Sequence, residues 1–127
     1  MPVERLVITP AVVERDVVLS LAGDLDMDGE TALLGAVGDL IGAGYPRIVV
    51  DCSKMSFCDS RGFNALLRSR QAAQEAGGAF ALAAVREQLR SLLELLGADQ
   101  LFVIAATVEQ GRLLLADAAS GSQAEPA

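Results

Sequence analysis

Three short apolar runs alternate with segments of helical periodicity, and this alternation constrains the fold more than any other feature of the sequence. The runs are RIVVDC (47–52), AFALAAV (79–85) and LFVIAA (101–106). Each run predicts a strand, and in the first two the consecutive apolar residues are typical of a strand that is buried on both faces of a parallel sheet. We expect the first run to lie at the centre of that sheet.

The segments between these runs carry apolar residues at helical spacing. Two further runs upstream, RLVIT (5–9) and VVLSLAG (17–23), are rich in β-branched residues and predict an antiparallel pair of strands. The order ββαβαβαβα predicts an α/β fold, with a mixed β-sheet of about five strands and about four helices. The helices are predicted from Asp28 to Gly42, from Ser60 to the glycine pair 77–78, from Leu89 to Leu96 and from Thr107 to Ala118.

The size and charge of the chain limit what it can bind. With 127 residues, 52% of them hydrophobic, the chain is expected to form one domain (1–118) followed by a disordered C-terminal tail (119–127). A formal charge of -7 argues against binding to nucleic acid or an anionic membrane, because both require a basic surface. The N-terminus has no signal-type apolar core, so we expect a cytoplasmic protein with protein partners.

The residues that usually hold metals or perform acid–base catalysis are scarce. The sequence has no histidine, and its two cysteines, Cys52 and Cys58, are expected to be reduced and partly buried. Asp24 and Asp26 could bind a hard cation, but no third oxygen ligand is placed beside them, so a solvated or partner-facing loop is favoured. Asp51, at a strand end, is expected to accept hydrogen bonds from loop amides. We therefore expect no metal site.

The stretch FCDSRGFNALL (57–67) places a hydroxyl where the hydrophobic period changes from strand to helix. Ser60 fits the N-cap position of the second helix, and a cap alone would explain it. Gly62, however, stands at a helical position where glycine costs about 1 kcal/mol relative to alanine. We interpret this glycine as clearing space above the hydroxyl, which would give another protein or a kinase access to Ser60.

The longer run IVVDCSKMSFCDSRGFNALL resembles the signature of STAS domains, specifically of bacterial anti-sigma factor antagonists. That signature is a strand ending in Asp, a short loop, and Asp-Ser-x-Gly opening a helix. The segments GDLD (23–26) and VREQLRSLLELLGADQLFVI (85–104) are similar to two further parts of the family pattern. The resemblance extends from Val3 to Ala118 and agrees with the predicted order of elements.

The resemblance implies a regulatory binding protein without catalytic activity or a cofactor of its own. Ser60 stands where the family has the serine that an anti-sigma factor kinase phosphorylates. The unphosphorylated protein binds that kinase and frees a sigma factor, and a phosphatase resets the switch. The residues that the resemblance places on the partner-facing surface are Asp24, Asp26, Asp59, Ser60, Arg61, Gly62 and Asn64.

Arg61 departs from the family pattern, in which the residue after the serine is often small or hydroxylated. It could face an acidic patch on the kinase, pair with a phosphate on Ser60, or mark a domain that is never phosphorylated. The alternative function is therefore a non-switching STAS scaffold, or an accessory subunit of a signalling or lipid-transport assembly. A small enzyme is disfavoured, because the sequence lacks histidine and a phosphate-binding loop of the form G-x-x-x-x-G-K-[ST].

Overall fold

The computed structural model describes residues 4–124, which form a five-stranded sheet and four helices. The strands are β1 (Val7–Val13), β2 (Asp16–Leu25), β3 (Arg47–Cys58), β4 (Ala79–Ala83) and β5 (Val103–Ala105). The helices are α1 (Met27–Gly42), α2 (Ser60–Glu75), α3 (Glu87–Leu95) and α4 (Val108–Ala124). The predicted α/β fold and its order of elements are confirmed.

The strands lie in the order β1-β2-β3-β4-β5. β1 pairs with β2 antiparallel, and the other neighbours pair in parallel, so that the carboxyl ends of β2 to β5 point the same way. β3 is the central strand, as its continuous apolar run predicted. In parallel sheets the loops that follow the carboxyl ends of the strands commonly carry the functional groups.

Helices cover both faces of the sheet. Along β3, Ile48 and Val50 belong to a core shared with α1, α2 and α3, whereas Val49 belongs to a smaller core shared with α4. Because side chains alternate between the two faces of a strand, α4 lies on the face opposite the other three helices. α2 packs against α1 and against strands β3 and β4, and its Leu66 is fully buried.

The central strand is longer than its apolar run. The apolar run that predicted this strand ends at Cys52, and a short loop was expected to follow it. β3 instead continues through SKMSFC to Cys58, so the expected loop was wrong. Pairing with β2 carries the strand on, in a register that shifts twice before Leu25 meets Cys58. On the edge of β3 opposite β2, the side-chain amide of Gln88 replaces a strand as the partner of Cys58. It accepts from the Cys58 N–H at 2.9 Å and donates to the Cys58 carbonyl at 2.8 Å. β4 pairs with β3 only as far as Asp51 and does not reach Cys58.

The last helix also exceeds its predicted length. Thr107 caps α4 as predicted, since its Oγ1 accepts from the Gln110 N–H at 3.1 Å. The helix then continues to Ala124 rather than ending at Ala118, so it extends into the segment 119–127 that was predicted to be disordered. The small residues of this segment can adopt a helical backbone. No proline, which would break the helix, occurs in it before Pro126. Residues 125–127 lie outside the described part of the chain.

At the amino ends of the strands, the buried carboxylate of Asp16 joins the β1–β2 hairpin to its neighbours. Its Oδ2 accepts a hydrogen bond of 2.9 Å from Nε of Arg112 in α4. Its Oδ1 forms an ion pair with Nε of Arg47 at 2.9 Å, although the N–H does not point at the oxygen. These contacts hold α4 against the hairpin at the end of the sheet remote from Ser60.

Within residues 4–124, none of the helices combines the length and the apolar character needed to cross a lipid bilayer.

Candidate functional site

Two strand-to-helix junctions lie side by side at the carboxyl edge of the sheet. β2 ends at Leu25 and β3 at Cys58, and these two residues are partners in the parallel register. After a single intervening residue in each case, α1 begins at Met27 and α2 at Ser60. We call the two segments the first junction (residues 25–30) and the second junction (residues 58–64). The sequence-predicted site residues lie on them, except Asp24, which immediately precedes the first.

The second junction is capped by Asp59. Its backbone is extended, and its Oδ1 accepts from the Gly62 N–H at 2.9 Å, which satisfies a donor that the helix itself cannot. The assignment of Ser60 as the N-cap was therefore wrong. A cap side chain must reach an N–H two or three residues later from a non-helical residue, and Ser60 is already the first helical residue. Its side chain is left exposed to solvent.

The first junction repeats the same design. Asp26 has an extended backbone, and its Oδ1 accepts from the Gly29 N–H at 3.1 Å. The sequences DMDG (26–29) and DSRG (59–62) thus share the spacing Asp-x-x-Gly, with a capping carboxylate first and a buried glycine last. This repeat is visible in the sequence and could have identified both caps. It also places Met27 at the position in α1 that Ser60 occupies in α2.

Gly62 is required for packing and does not open space above Ser60, so our interpretation of this glycine was wrong. It is buried, and a Cβ atom added there would lie 2.0 Å from the carbonyl oxygen of Leu25. The second junction is further tied to the first by the Asp59 N–H, which donates to that same oxygen at 3.3 Å. The glycine therefore lets the first turn of α2 approach the backbone at the end of β2.

Glu30, which the sequence analysis missed, connects the two helices. Its Oε2 accepts from Nδ2 of Asn64 at 3.1 Å, and its Oε1 lies 3.7 Å from Nη1 of Arg61. The Glu30 side chain is only 14% exposed, whereas that of Arg61 is 61% exposed. Glu30 and Asn64 are distant in sequence and belong to different helices, so no local pattern could pair them.

Asp24 anchors the segment that precedes β1. Its N–H donates to the carbonyl of Glu4 at 2.8 Å, and its Oδ2 accepts from the Glu4 N–H at 3.2 Å. The Glu4 carboxylate accepts in turn from the hydroxyl of Ser56. Asp51, at the end of the apolar run of β3, accepts from the Ser53 N–H at 3.0 Å, which confirms its predicted structural role.

Exposed apolar side chains accompany Ser60 at this edge of the sheet. Met27 is 58% exposed at the start of α1, and Phe57 is 46% exposed near the end of β3. Large apolar side chains grouped at one surface are typical of contact with another molecule. We define the junction surface as Met27, Phe57, Ser60, Arg61 and Asn64. Neither Met27 nor Phe57 was predicted, because a single apolar residue in a sequence does not reveal whether it is exposed.

The junction surface is surrounded by negative charge. Arg5 lies near Asp26 and Asp28, along a groove between residue 5 and the start of α1, and Arg61 lies near Glu30. The carboxylates at the two junctions or directly before them outnumber these arginines, and they are Asp24, Asp26, Asp28, Glu30 and Asp59. A group that gained negative charge on this surface would therefore meet an unfavourable field.

The described part of the structure contains no cluster of metal ligands. Among these residues no group of three or more histidine, cysteine, aspartate or glutamate side chains is placed to hold a metal ion. A cavity of about 660 Å³ lies between the end of β3 and the start of α3, with Cys52, Met55 and Leu89 in its lining. None of the predicted site residues lines that cavity.

The two cysteines are free and buried, as predicted. Burial raises the pKa of the Cys52 thiol to about 12, and the charge of Asp51 adds to this effect. Burial likewise raises the pKa of the Cys58 thiol to about 12, with a further contribution from Asp59. Both shifts favour the neutral thiol in the folded state. The resulting contribution to stability is complete below pH 9.0 and is lost as the pH rises towards 12.

We expect both thiols to resist iodoacetamide in the native protein. Because only the thiolate is nucleophilic, a rise of the pKa from 9.0 to about 12 slows alkylation near neutral pH by about a thousandfold. Mass spectrometry after timed alkylation should show little modification in native buffer and two modifications in concentrated guanidinium chloride. Rapid alkylation of the native protein would contradict the burial of these side chains.

Comparison with known proteins agrees with the fold. A family model described as "Mlab, STAS domain" matches residues 8–118. An anti-sigma factor antagonist from Mycobacterium paratuberculosis superposes with a TM-score of 0.78 at 22% identity, covering 87% of this chain and 94% of that chain. The Bacillus cell fate determinant SpoIIAA in its phosphorylated form superposes with a TM-score of 0.66 at 23% identity, covering 82% and 95%.

A transport-related structure shares the fold as well. A sulfate transporter family protein from Wolinella succinogenes superposes with a TM-score of 0.69 at 17% identity, covering 85% of this chain and 88% of that chain. The fold therefore serves proteins with different roles, and only the match to the family model assigns membership. Since that model spans nearly all the described residues, the chain belongs to the STAS domain family.

Proposed function

We propose that this protein is an anti-sigma factor antagonist whose binding to a serine kinase is switched by phosphorylation of Ser60. The observation that carries the proposal is the position of Ser60, an exposed hydroxyl at the first residue of α2 on a surface with exposed Met27 and Phe57. Two of the superposed structures support it, since one is an anti-sigma factor antagonist and another is a phosphorylated SpoIIAA. The proposal places the protein in the cytoplasm, where sigma factors act.

The chemistry of the switch belongs to the partners. The kinase transfers the γ-phosphoryl group of ATP to the Ser60 oxygen, so that an O–P bond forms, the bond to ADP breaks, and the hydroxyl proton passes to a base of the kinase. A phosphatase hydrolyses the ester with water and restores the hydroxyl. The unmodified protein binds the kinase, which is an anti-sigma factor, and thereby frees the sigma factor.

The junction surface supplies the contacts for this binding. Met27 and Phe57 provide apolar area for a partner, and we assign direct polar contacts to the exposed Ser60, Arg61 and Asn64. The other predicted partner-facing residues hold the junctions in place, and they are Asp24, Asp26, Asp59 and Gly62.

Phosphorylation gates such a surface because it adds a charge of about -1.5 to -2 at neutral pH. Between two proteins that charge must be desolvated, and an unpaired buried charge costs several kcal/mol. About 1.4 kcal/mol changes an affinity tenfold, so the modified protein dissociates. The fold tolerates the phosphate, because the hydroxyl is exposed and no cap depends on it.

A binding role fits the site better than catalysis. The carboxylate next to Ser60 in the chain is Asp59, and its Oδ1 is engaged with the Gly62 N–H as the helix cap. A general base must instead contact the hydroxyl whose proton it removes. We therefore propose that the protein is not an enzyme.

The second candidate function is a non-switching STAS module in a signalling or transport assembly. The description of the matching family model, "Mlab, STAS domain", and the likeness to a sulfate transporter family protein favour it. The two candidates differ in one chemical property, which is whether Ser60 accepts a phosphoryl group from a cognate kinase.

We expect an anti-sigma factor kinase from the same organism to add one phosphate, and to add it to Ser60. Intact-mass analysis after incubation with ATP should show a single phosphorylated species, and Ser60→Ala should abolish it. Ser56→Ala is the matched control, because Ser56 is also exposed and lies just before the second junction. Phosphate on Ser53 or Ser56 instead of Ser60 would contradict the assignment, and failure of every such kinase to modify the protein would favour the second candidate.

A further inference from the structure

Arg61 is held on the junction surface by a weak ion pair. Its Nη1 lies 3.7 Å from Oε1 of Glu30, and its side chain is 61% exposed. An ion pair with one exposed, long side chain contributes little to stability, because solvent screens it and the pairing costs side-chain entropy. Glu30 does not depend on this contact, since its other oxygen accepts from Asn64 at 3.1 Å. Arg61 can therefore leave Glu30 without loosening the contact between α1 and α2.

A phosphate on Ser60 would need a cation on this surface. Asp59 already accepts the Gly62 N–H at 2.9 Å, so that donor of the helix N-terminus is occupied. Asp59 directly precedes Ser60 in the chain, and Asp28 and Glu30 belong to the neighbouring first junction, so the local field opposes an added dianion. Arg61 directly follows Ser60 in α2, and although consecutive helical side chains diverge by about 100°, their Cα atoms are only about 3.8 Å apart. The long, exposed side chain of Arg61 can therefore bend towards a phosphate on Ser60.

A guanidinium group prefers a phosphate dianion to a single carboxylate. It can donate two parallel N–H bonds to phosphate oxygens, and charge-assisted pairs of this kind are among the strongest hydrogen bonds in proteins. At 3.7 Å, the contact with Glu30 is longer than such a hydrogen bond. The exchange from Glu30 to the phosphate is therefore favourable.

We propose that Arg61 exchanges partners when Ser60 is modified, pairing with Glu30 in the unmodified protein and with the phosphate in the phosphorylated protein. The inference rests on the proposed function for the source of the phosphate. Arg61 then acts as an internal counter-ion that partly neutralises the phosphate at the second junction. It also withdraws a cation from the surface that a partner would contact, which strengthens the effect of the modification.

The exchange can be tested without a kinase, by incorporating phosphoserine at position 60 during translation. A phosphorus NMR titration then reports the second pKa of the phosphate, which a paired guanidinium lowers and the carboxylates of Asp28, Glu30 and Asp59 raise. Both proteins in this comparison carry the phosphate at position 60. We expect the second pKa of that phosphate to be lower by about 0.5 or more when Arg61 is present than in the Arg61→Ala variant. Glu30→Gln should lower it further, because Arg61 loses its competing partner.

Arg68→Ala is the matched control, since Arg68 is an exposed arginine on α2 further from Ser60 in the chain, and it should leave the titration unchanged. Equal values in the unchanged protein and in Arg61→Ala would overturn the exchange, whatever a kinase does to Ser60. The kinase assay decides the proposed function separately, because the NMR sample carries its phosphate from translation.

Discussion

We expect Gly62→Ala to lower the free energy of unfolding by about 3 kcal/mol or more. The added Cβ would lie 2.0 Å from the carbonyl oxygen of Leu25 and 2.8 Å from the carbonyl carbon, and neither backbone atom can move as a flexible side chain could. To relieve this clash, α2 would have to move away from the end of β2. That movement would also lengthen the hydrogen bond from the Asp59 N–H to the Leu25 carbonyl. Urea denaturation should show the loss as a lower midpoint with an unchanged slope.

Gly35→Ala is the matched control for this substitution. Gly35 also lies within a helix, but it is exposed and a Cβ there would meet no atom within 4 Å. Alanine is the better helix former, so this variant should gain about 0.5 to 1 kcal/mol. If Gly62→Ala were as stable as Gly35→Ala, the two junctions could not be packed as closely as the structure has them.

The case of Gly62 marks the boundary of what the sequence could predict at this site. The sequence placed a functional junction between a buried strand and a helix that starts at Ser60, and the structure agrees on that boundary. It could not tell whether Asp59 or Ser60 caps the helix, because both residue types are good caps. The choice depends on where the backbone leaves the extended conformation, and pairing between β3 and β2 determines that point.

The fold was largely predictable because its signals are local. Helical stripes and short apolar runs reflect burial of single elements, and they gave the order of strands and helices correctly. The continuation of β3 to Cys58 was not predictable, because it depends on pairing with β2 and on the side chain of Gln88 in α3. The contact between Glu30 and Asn64 is equally non-local. Local patterns carry no information about such pairs.

The junctions separate the residues that maintain the fold from those that face solvent. Asp59 and Gly62 are engaged with backbone groups, while Ser60 and Arg61 between them project outward. A substitution at Ser60 can therefore change the surface without removing a cap or a packing contact. An acidic residue in the first turn of a helix is also favourable towards the helix dipole, which offsets repulsion from neighbouring carboxylates.

This separation leads us to expect that Ser60→Asp loses binding to the kinase by at least about a hundredfold while remaining folded. The carboxylate adds a charge to the junction surface, from which the partner must exclude water, and a buried charge without a partner costs several kcal/mol. Stability should change by no more than about 0.5 kcal/mol, because Ser60 is exposed and caps nothing. Calorimetric titration with the kinase that modifies Ser60 measures the affinity, and a thermal melt measures stability.

Ser91→Asp is the matched control, because it adds the same charge to an exposed helical serine of α3 that does not belong to the junction surface. It should bind the kinase as the unsubstituted protein does, which separates a local effect from the change in net charge. A folded Ser60→Asp protein that binds with unchanged affinity would exclude Ser60 from the interface. A variant that binds weakly and melts early would instead place Ser60 among the residues that maintain the second junction, and the exposed position of its hydroxyl argues against that result.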